Sequence, residues 1–278
     1  MLGKRLITAL WGIPLVIAAV WFGEPLSWFT ALAGVFGVLA AVEFYRLVGV
    51  LKVLPLALCG LLFTLLFILY PHMDFGLDVS LISLLLTAAV ALPMFLMIFL
   101  PKREGLFRNW AWTLTGALYI GWLLSYLVAL RLEPGTADFP NAGRNFVFLA
   151  LLATFGSDTA AYFIGKAIGK HKLAPSISPG KTWEGAIAGL FGAVIVSLLF
   201  TLSTPLQLPL NYIHAIVLGA VISVFGQLGD LAESMLKRGT GVKDSGNLMP
   251  GHGGLLDRLD SILFAGVVVY LYYSFFVV

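Results

Sequence analysis

The fold of this 278-residue chain is decided by residues 79–100, which read VSLISLLLTAAVALPMFLMIFL. The stretch contains no charged residue, and about 20 predominantly apolar residues are enough for a helix to cross a bilayer. The whole composition agrees, because 60% of the residues are hydrophobic and only 11% are charged, against roughly 25% charged in soluble domains. These values exclude a water-soluble globular domain and predict a polytopic membrane protein.

Other stretches of similar length and apolar character precede and follow this one. Each is bounded by charged residues or by proline and glycine, as expected for spans separated by short loops. Together they predict an all-α integral membrane protein with about nine transmembrane helices. The predicted spans are residues 6–23, 26–48, 53–71, 79–100, 110–130, 146–165, 183–203, 212–233 and 259–278.

The distribution of positive charge predicts the orientation of these spans. Cytoplasmic loops of membrane proteins carry an excess of lysine and arginine. When the N-terminus is placed inside, only Arg131 and Arg144 of the 17 lysines and arginines fall on the outer side. The sequence therefore predicts an N-in/C-out protein of the plasma membrane, the cell's inner membrane. Topology explains the basic residues without a nucleic-acid partner.

The polar residues divide the chain into two regions. Residues 1–145 are mostly apolar spans and are interpreted as a scaffold, a dimer-forming part or a lipid-facing part. Within them Glu43 is the most unusual intramembrane charge, and its i,i+3 spacing from Arg46 predicts a local ion pair. Residues 146–278 contain two cytoplasmic loops that are much richer in polar residues than topology requires. We expect the chemistry to lie in this second region.

Two pairs of carboxylates flank the second of these loops. Asp230 and Glu233 share a helix face near the inner end of the eighth span, and Asp257 and Asp260 repeat the spacing at the start of the ninth. Helix capping and the macrodipole are sufficient to explain Asp257 alone. They do not explain Asp230, because acidic residues at the bilayer edge are costly and usually functional. We predict that Asp230, Asp257 and Asp260 hold a divalent metal ion, and their hard oxygens suit Mg²⁺.

Basic residues and glycines surround these carboxylates. Glycines between residues 239 and 254 allow the backbone to approach an anion closely. A metal ion, fixed cations and exposed amides together describe a polyphosphate site. For any single basic residue, attraction to the inner leaflet is an equally good explanation. The basic residues are Lys237, Arg238, Lys243 and Arg258.

The other cytoplasmic loop reads SPGKTWEG over residues 178–185. Its Gly-Lys-Thr is not a P-loop, because Pro175 stands where the Walker pattern requires glycine and no parallel strand precedes it. A lysine and hydroxyls remain at the start of the seventh predicted helix, where amides and the helix dipole favour an anion. The residues of this loop that are predicted to bind an anion are Ser178, Lys181 and Thr182.

Two further residues have two interpretations each. Asp158 lies within the sixth span and either pairs with Lys166, two turns along the same helix face, or is a residue of the functional site. His252 lies between glycines and is either a phosphate donor or acid catalyst, or a loop histidine packed for shape. Cys59 is the only cysteine, so a single chain has neither a disulfide nor a cysteine-rich metal site.

A run of polar residues and glycines near the C-terminus resembles the signature of CDP-diacylglycerol synthases, also called phosphatidate cytidylyltransferases. Residues 178–185 resemble a second stretch shared in that family, and the number of spans is similar. Met249 departs from the usual Leu, Ile or Phe, and Gly180 stands where relatives often carry another lysine for phosphate. Specific resemblance covers residues 154–185 and 227–261. The matching run comprises Ser234, Lys237, Arg238, Lys243, Asp244, Pro250, Gly251, His252, Gly253, Gly254, Asp257, Arg258 and Asp260.

The resemblance implies transfer of CMP from CTP to phosphatidic acid, which yields CDP-diacylglycerol and pyrophosphate. It implies that Mg²⁺, alone or with a second cation, is held by Asp230, Asp257 and Asp260. The basic residues would neutralise phosphates of CTP or of the lipid headgroup, and Asp244 with the 178–182 loop would complete the pocket. A homodimer is also expected from the family. CTP is cytoplasmic, and the predicted orientation places both polar loops on that side.

Two other functions remain open at this stage. A CTP-dependent polyprenol or dolichol kinase would release CDP rather than pyrophosphate, and it would need a general base such as Asp244 or His252. A secondary transporter would use Asp158, Glu43 and Asp230 as ion relays. Against transport, the two halves show no paired interrupted helices, and the charge is concentrated in loops on one side.

Overall fold

The computed structural model describes residues 2–22, 28–73, 80–101, 104–246, 248 and 253–277. The protein is 76% helical, and a helix satisfies its own backbone hydrogen bonds, which is the condition for crossing lipid. The α-helices are α1 Leu2–Trp21, α2 Phe29–Leu47, α3 Leu54–Leu69, α4 Leu81–Ile98, α5 Leu106–Gly116, α6 Leu123–Leu132, α7 Ala142–Ile168, α8 Trp183–Leu199, α9 Tyr212–Gly239 and α10 Leu256–Phe276.

Seven helices within the described ranges are long and apolar enough to cross a membrane. One of them, Leu106–Leu132, is continuous and consists of α5, a π-helical stretch over Ala117–Trp122, and α6. The first and seventh predicted spans correspond to shorter apolar helices, Leu10–Trp21 and Trp183–Leu199. The helical membrane-protein class is thus confirmed, whereas nine spans and the N-in/C-out orientation stay predictions.

The chain divides into two compact units that do not follow its order. The first comprises residues 1–129 and 244–257, and the second comprises residues 130–243 and 258–278. The predicted division at residue 145 places 244–257 with the C-terminal region, whereas this segment packs within the first unit. Long-range packing of a polar loop leaves no periodic signal in the sequence, so this assignment could not be predicted.

Tyr45 links three helices of the first unit. Its ring is fully buried, and its hydroxyl donates a hydrogen bond to the carbonyl oxygen of Thr113 at 2.8 Å. Gly60 on α3 and Gly116 on α5 face the ring so closely that a Cβ at either position would overlap it. The two glycines therefore allow one large aromatic side chain to fill the space between α2, α3 and α5.

In the second unit, α7, α8 and α9 pack closely. A Cβ at Gly192 on α8 would lie 2.7 Å from the carbonyl oxygen of Gly156 on α7, and small residues at such crossings let membrane helices approach. A hydrogen bond of 2.8 Å joins the hydroxyls of Ser157 on α7 and Ser223 on α9. Gln227 Nε2 donates to Ser223 Oγ at 2.9 Å and to a carbonyl of α8 at 3.1 Å. This polar network holds the register of the three helices.

A hairpin between α7 and α8 forms the only sheet within the described residues. Strand β1, Lys172–Ala174, pairs antiparallel with strand β2, Ser178–Thr182, and places Lys172 opposite Thr182. Thr182 also caps α8, because its Oγ1 accepts a hydrogen bond from Gly185 N at 3.2 Å. The sequence analysis expected a cytoplasmic loop here, between the sixth and seventh predicted spans. The hairpin is thus a departure from the predicted all-α fold.

Candidate active site

A lysine from the hairpin and an aspartate from α9 form an ion pair in the second unit. Lys181 Nζ lies 2.8 Å from Asp230 Oδ2. Their side chains are 22% and 35% exposed, so both are partly withdrawn from solvent. Oppositely charged groups interact more strongly where the effective dielectric constant is lower. The pair brings together the two motifs that the sequence analysis had found separately.

Asp230 lies deeper inside its helix than predicted. The predicted span ends at residue 233, whereas α9 continues to Gly239. The macrodipole acts mainly within the last turn of a helix, so it has little effect on a carboxylate at this position. Ser234 Oγ donates to Asp230 Oδ1 at 3.3 Å, and Lys181 contacts the other oxygen. Side chains rather than helix ends therefore stabilise this carboxylate.

Two more aspartates lie within electrostatic range of Asp230. Asp158 on α7 interacts with Asp230 and with the cations of Lys181 and Arg258. Asp260 on α10 interacts with both of these aspartates, and its side chain is buried, with Ser261 N donating to its Oδ1 at 2.7 Å. Three carboxylates in one unit repel one another, so together they favour the binding of a cation.

The alternative pairing of Asp158 with Lys166 is not observed. The Lys166 ammonium instead lies over the ring of Tyr162, 5.8 Å from its centroid. Asp158 has its charged neighbours on the hairpin, α9 and α10. The role of Asp158 as a site residue stays a prediction.

The donor set suits a hard divalent cation. Mg²⁺ is usually bound by one or two carboxylates together with water and substrate phosphates, and Asp230 and Asp260 supply such oxygens. In the part of the chain that the structure describes, no group of three or more His, Cys, Asp or Glu side chains is close enough to hold a metal by itself. The residues therefore fit a metal whose coordination is completed by substrate and water.

Asp257 occupies the first turn of α10, as predicted, and belongs to the first unit. Its Oδ2 accepts hydrogen bonds from Ser245 N at 3.2 Å and from Gly254 N at 2.9 Å. Both donors are backbone amides of the polar 244–257 segment. Ser245 and Gly254 thus bind this carboxylate through their amides, and the role of Asp257 as a metal ligand stays a prediction.

Glu43 is a buried residue whose contacts the sequence analysis predicted wrongly. Its side chain is 1% exposed and makes no ion pair with Arg46. Instead Oε2 accepts hydrogen bonds from Leu256 N at 2.9 Å and from Ser245 Oγ at 3.3 Å, all within the first unit. The only sequence signal was an acidic residue inside an apolar span, and spacing favoured the nearby arginine over distant backbone amides.

The four predicted basic residues occupy different environments. Lys237 forms a buried ion pair with Glu233, one turn earlier on α9. Arg238 donates from Nε to the carbonyl oxygen of Ile177 and from Nη1 to that of Val242, each at 3.2 Å. Lys243 and Arg258 are exposed. Arg238 therefore connects the hairpin to the chain that follows α9.

The remaining predicted site residues have these positions. Ser178 opens β2 and is half-buried, whereas Thr182 is buried with its hydroxyl in the helix cap. Asp244 is exposed at the start of the 244–257 segment. His252, together with Pro250 and Gly251, lies outside the described residues. The roles of these residues in ligand binding stay predictions.

Comparison with known proteins gives a match along nearly the whole chain. Residues 3–276 match the sequence profile of the Cytidylyltransferase family. The Bacillus subtilis phosphatidate cytidylyltransferase is 37% identical over 252 residues, which cover 88% of this chain and 87% of that protein. The Staphylococcus saprophyticus protein of the same name is 41% identical over 165 residues, 59% of each chain. That of Haemophilus influenzae is 44% identical over 153 residues, 54% of this chain and 52% of that protein.

Proposed function

The chain belongs to the cytidylyltransferase family, and we propose that it is the enzyme that transfers CMP from CTP to phosphatidic acid. The products are CDP-diacylglycerol, a phospholipid precursor, and pyrophosphate. The similar proteins from three bacteria carry the name phosphatidate cytidylyltransferase, so the family predicted from the sequence is confirmed. The observation that carries the proposal within the molecule is the Lys181–Asp230 ion pair, which joins a phosphate-binding motif to an acidic cluster.

In the proposed reaction, an oxygen of the lipid phosphate attacks the α-phosphorus of CTP. A new phosphoanhydride bond forms, the bond to the β-phosphate breaks, and pyrophosphate leaves with the electron pair. A phosphate monoester has a second pKa of about 6, so the lipid phosphate is largely dianionic at neutral pH. It therefore needs little help from a general base. Catalysis then depends on in-line positioning and on neutralisation of charge.

The residues of this chain divide into anion-binding and cation-binding groups. Lys181 and Arg258 interact electrostatically with Asp158 and supply positive charge to phosphates, with Lys243 as a further cation. Lys237, Arg238, Asp244, Ser178, Thr182 and His252 belong to the same proposed site through the family resemblance. The acidic side chains Asp230, Asp257 and Asp260 would hold Mg²⁺, alone or with a second cation. Bound there, the ion would neutralise phosphate oxygens and stabilise the leaving pyrophosphate.

The membrane supplies one substrate and the cytoplasm the other. We propose nine spans in the plasma membrane with the N-terminus inside, which places both polar loops on the side where CTP is found. The acyl chains of phosphatidic acid would then remain in the bilayer while the headgroup reaches the site. A homodimer is proposed from the family resemblance.

The deciding experiment uses the purified full-length protein in proteoliposomes with CTP, Mg²⁺ and phosphatidic acid. We expect equal amounts of pyrophosphate and CDP-diacylglycerol without any ion gradient. The same vesicles with a polyprenol in place of phosphatidic acid test the kinase alternative, which would release CDP. Formation of CDP alone, or ion flux with no lipid product, would contradict the proposal.

A matched pair of lysine variants links this activity to the site. Lys181→Met removes the cation paired with Asp230. Lys172→Met removes an exposed cation from the other strand of the same hairpin. Activity should fall only in the Lys181 variant if the ion pair marks the phosphate site. Equal activity in both variants would show that the hairpin lysine Lys181 does not contribute to catalysis.

A further inference from the structure

We infer that Glu43 is a positioning residue whose buried carboxylate fixes the start of α10 and, with it, Asp257. The inference rests on the proposed function, which gives Asp257 its chemical role. Glu43 lies on α2, in the part of the chain that the sequence analysis interpreted as scaffold. A carboxylate from this region would then belong to the support of the active site.

The first step is the contact between Glu43 and the N-terminus of α10. Leu256 is the first residue of that helix, and the first amides of a helix have no partner within it. Glu43 Oε2 accepts the hydrogen bond from Leu256 N at 2.9 Å. Negative charge is also favourable at this end of the helix dipole. The side chain thus caps a helix that is distant in the sequence.

The second step connects Glu43 to Asp257 through one residue. Ser245 donates from its hydroxyl to Glu43 Oε2 at 3.3 Å and from its backbone N to Asp257 Oδ2 at 3.2 Å. Gly254 N donates to the same Asp257 oxygen at 2.9 Å. The two carboxylates therefore share Ser245 as a partner. A shift of Glu43 would move a donor on which the orientation of Asp257 depends.

The third step is the tight fit of two glycines against these carboxylates. A Cβ at Gly254 would lie 2.7 Å from Glu43 Oε2 and 2.9 Å from Asp257 Oδ2. At Gly246 a Cβ would overlap the Glu43 carboxyl group. Only glycine allows the backbone to close around Glu43 at these points. Gly246 and Gly254 thus allow the backbone to enclose the Glu43 carboxylate.

A purely structural role of Glu43 and a positioning role predict different effects on stability, hydrogen exchange and turnover. A buried carboxylate is tolerated where hydrogen bonds compensate for its lost hydration, and such a group could simply stabilise the first unit. Tyr45, two residues along α2, is also buried and has a hydrogen bond to Thr113. That hydrogen bond joins α2 to α5, not to the 244–257 segment, so Tyr45 provides a matched control for stability alone.

The test compares Glu43→Ala, Glu43→Gln and Tyr45→Phe in the full-length protein. Hydrogen exchange in peptides covering residues 253–257 measures the cap directly, and steady-state kinetics measure its effect on turnover. In Glu43→Ala we expect exchange there to be about tenfold faster, as for the loss of one buried hydrogen bond to a charged acceptor. The turnover number should fall by at least that factor, with the KM for CTP little changed. Exchange in α8 should stay at the wild-type rate.

The two other variants separate positioning from stability. The amide oxygen of Glu43→Gln can still accept from Leu256 N, so its exchange rate and turnover should lie between those of wild type and Glu43→Ala. Tyr45→Phe should lower thermal stability while leaving both quantities unchanged. If Glu43→Ala does not fold, Glu43→Gln is compared with Tyr45→Phe. Faster exchange at residues 253–257 and lower turnover in Glu43→Gln than in Tyr45→Phe would then support the inference.

Three results would overturn the inference. They are wild-type exchange at residues 253–257 in Glu43→Ala, faster exchange there with full turnover, or the same loss of turnover in Tyr45→Phe. A wild-type protein that makes no CDP-diacylglycerol would instead contradict the proposed function. In that case the exchange data alone would still show whether Glu43 holds this segment.

Discussion

The ammonium of Lys181 lies 2.8 Å from Oδ2 of Asp230 and joins the hairpin before α8 to the interior of α9. Each group neutralises the other while no phosphate is near. A phosphate bound at this position would compete with Asp230 for the same ammonium. Lysine and aspartate are therefore coupled, and removal of either changes the charge that the other experiences.

We expect Lys181→Ala to act mainly on nucleotide binding. A hydrogen bond between charged groups contributes about 1.5–3 kcal/mol, so the KM for CTP should rise by about ten- to a hundredfold. Steady-state assays at several CTP concentrations measure this, with Lys172→Ala as the control on the opposite strand. Unchanged KM and turnover in Lys181→Ala would show that the hairpin lysine serves topology only.

Asp257→Asn and Asp260→Asn should each abolish turnover without preventing membrane insertion. Each change removes one negative charge from the proposed metal centre and deletes no part of a span. Pyrophosphate release and the amount of protein in the membrane fraction are the two measurements. Asp138→Asn, at an exposed position between α6 and α7, is the control. Mg²⁺-dependent turnover in both site variants would rule out the metal assignment.

Removal of divalent ions should stop the reaction reversibly. Dialysis against a chelator should abolish pyrophosphate release, and added Mg²⁺ should restore it, because Asp158, Asp230 and Asp260 leave clustered negative charge that repels CTP. Asp230→Asn should need a higher Mg²⁺ concentration for half-maximal rate. Full turnover in the presence of the chelator would contradict this prediction.

Arg238→Lys should weaken the site even though it keeps the positive charge. The guanidinium bonds two carbonyl oxygens at once, those of Ile177 and Val242, and an ammonium does not reproduce this planar arrangement. We expect faster hydrogen exchange in the hairpin and a higher KM for CTP, with Arg108→Lys, exposed on α5, as the control. If the lysine variant behaves as wild type, Arg238 contributes charge and not loop geometry.

Gly254→Ala should destabilise the first unit. The new Cβ would approach Glu43 Oε2 to 2.7 Å and Asp257 Oδ2 to 2.9 Å, and overpacking of this kind costs about 1–3 kcal/mol. Thermal unfolding in detergent should show a lower midpoint, accompanied by loss of turnover. Gly12→Ala on α1 has no described atom within 4 Å of the new Cβ and should not lower the midpoint. Equal midpoints for the two variants would contradict the tight fit.

The predictable part of the candidate active site is the part that depends on local spacing. Asp257 and Asp260 share the first turns of α10, as the i,i+3 spacing predicts. Thr182 stands at the start of α8, where the hydroxyl and the following helix signal place it. Both results depend on residues a few positions apart, for which helix geometry alone determines proximity.

The partners of Glu43 could not be predicted from local spacing. Its spacing from Arg46 favours a local pair, yet its partners are Ser245 and Leu256. Local spacing does not determine the partners of Glu43, because its side chain is buried. A buried carboxylate must accept hydrogen bonds from whichever donors are buried with it.

Hydropathy and motif order were sufficient to assign the chain to a helical membrane class and to a family of nucleotidyltransferases. Both depend on properties of short segments, namely the transfer of apolar side chains into lipid and the identity of residues at set intervals. Tertiary structure alone decided that Lys181 contacts Asp230 and that Glu43 accepts a hydrogen bond from Leu256. These contacts join residues far apart in the chain, and such proximity results from how the helices pack rather than from any local pattern.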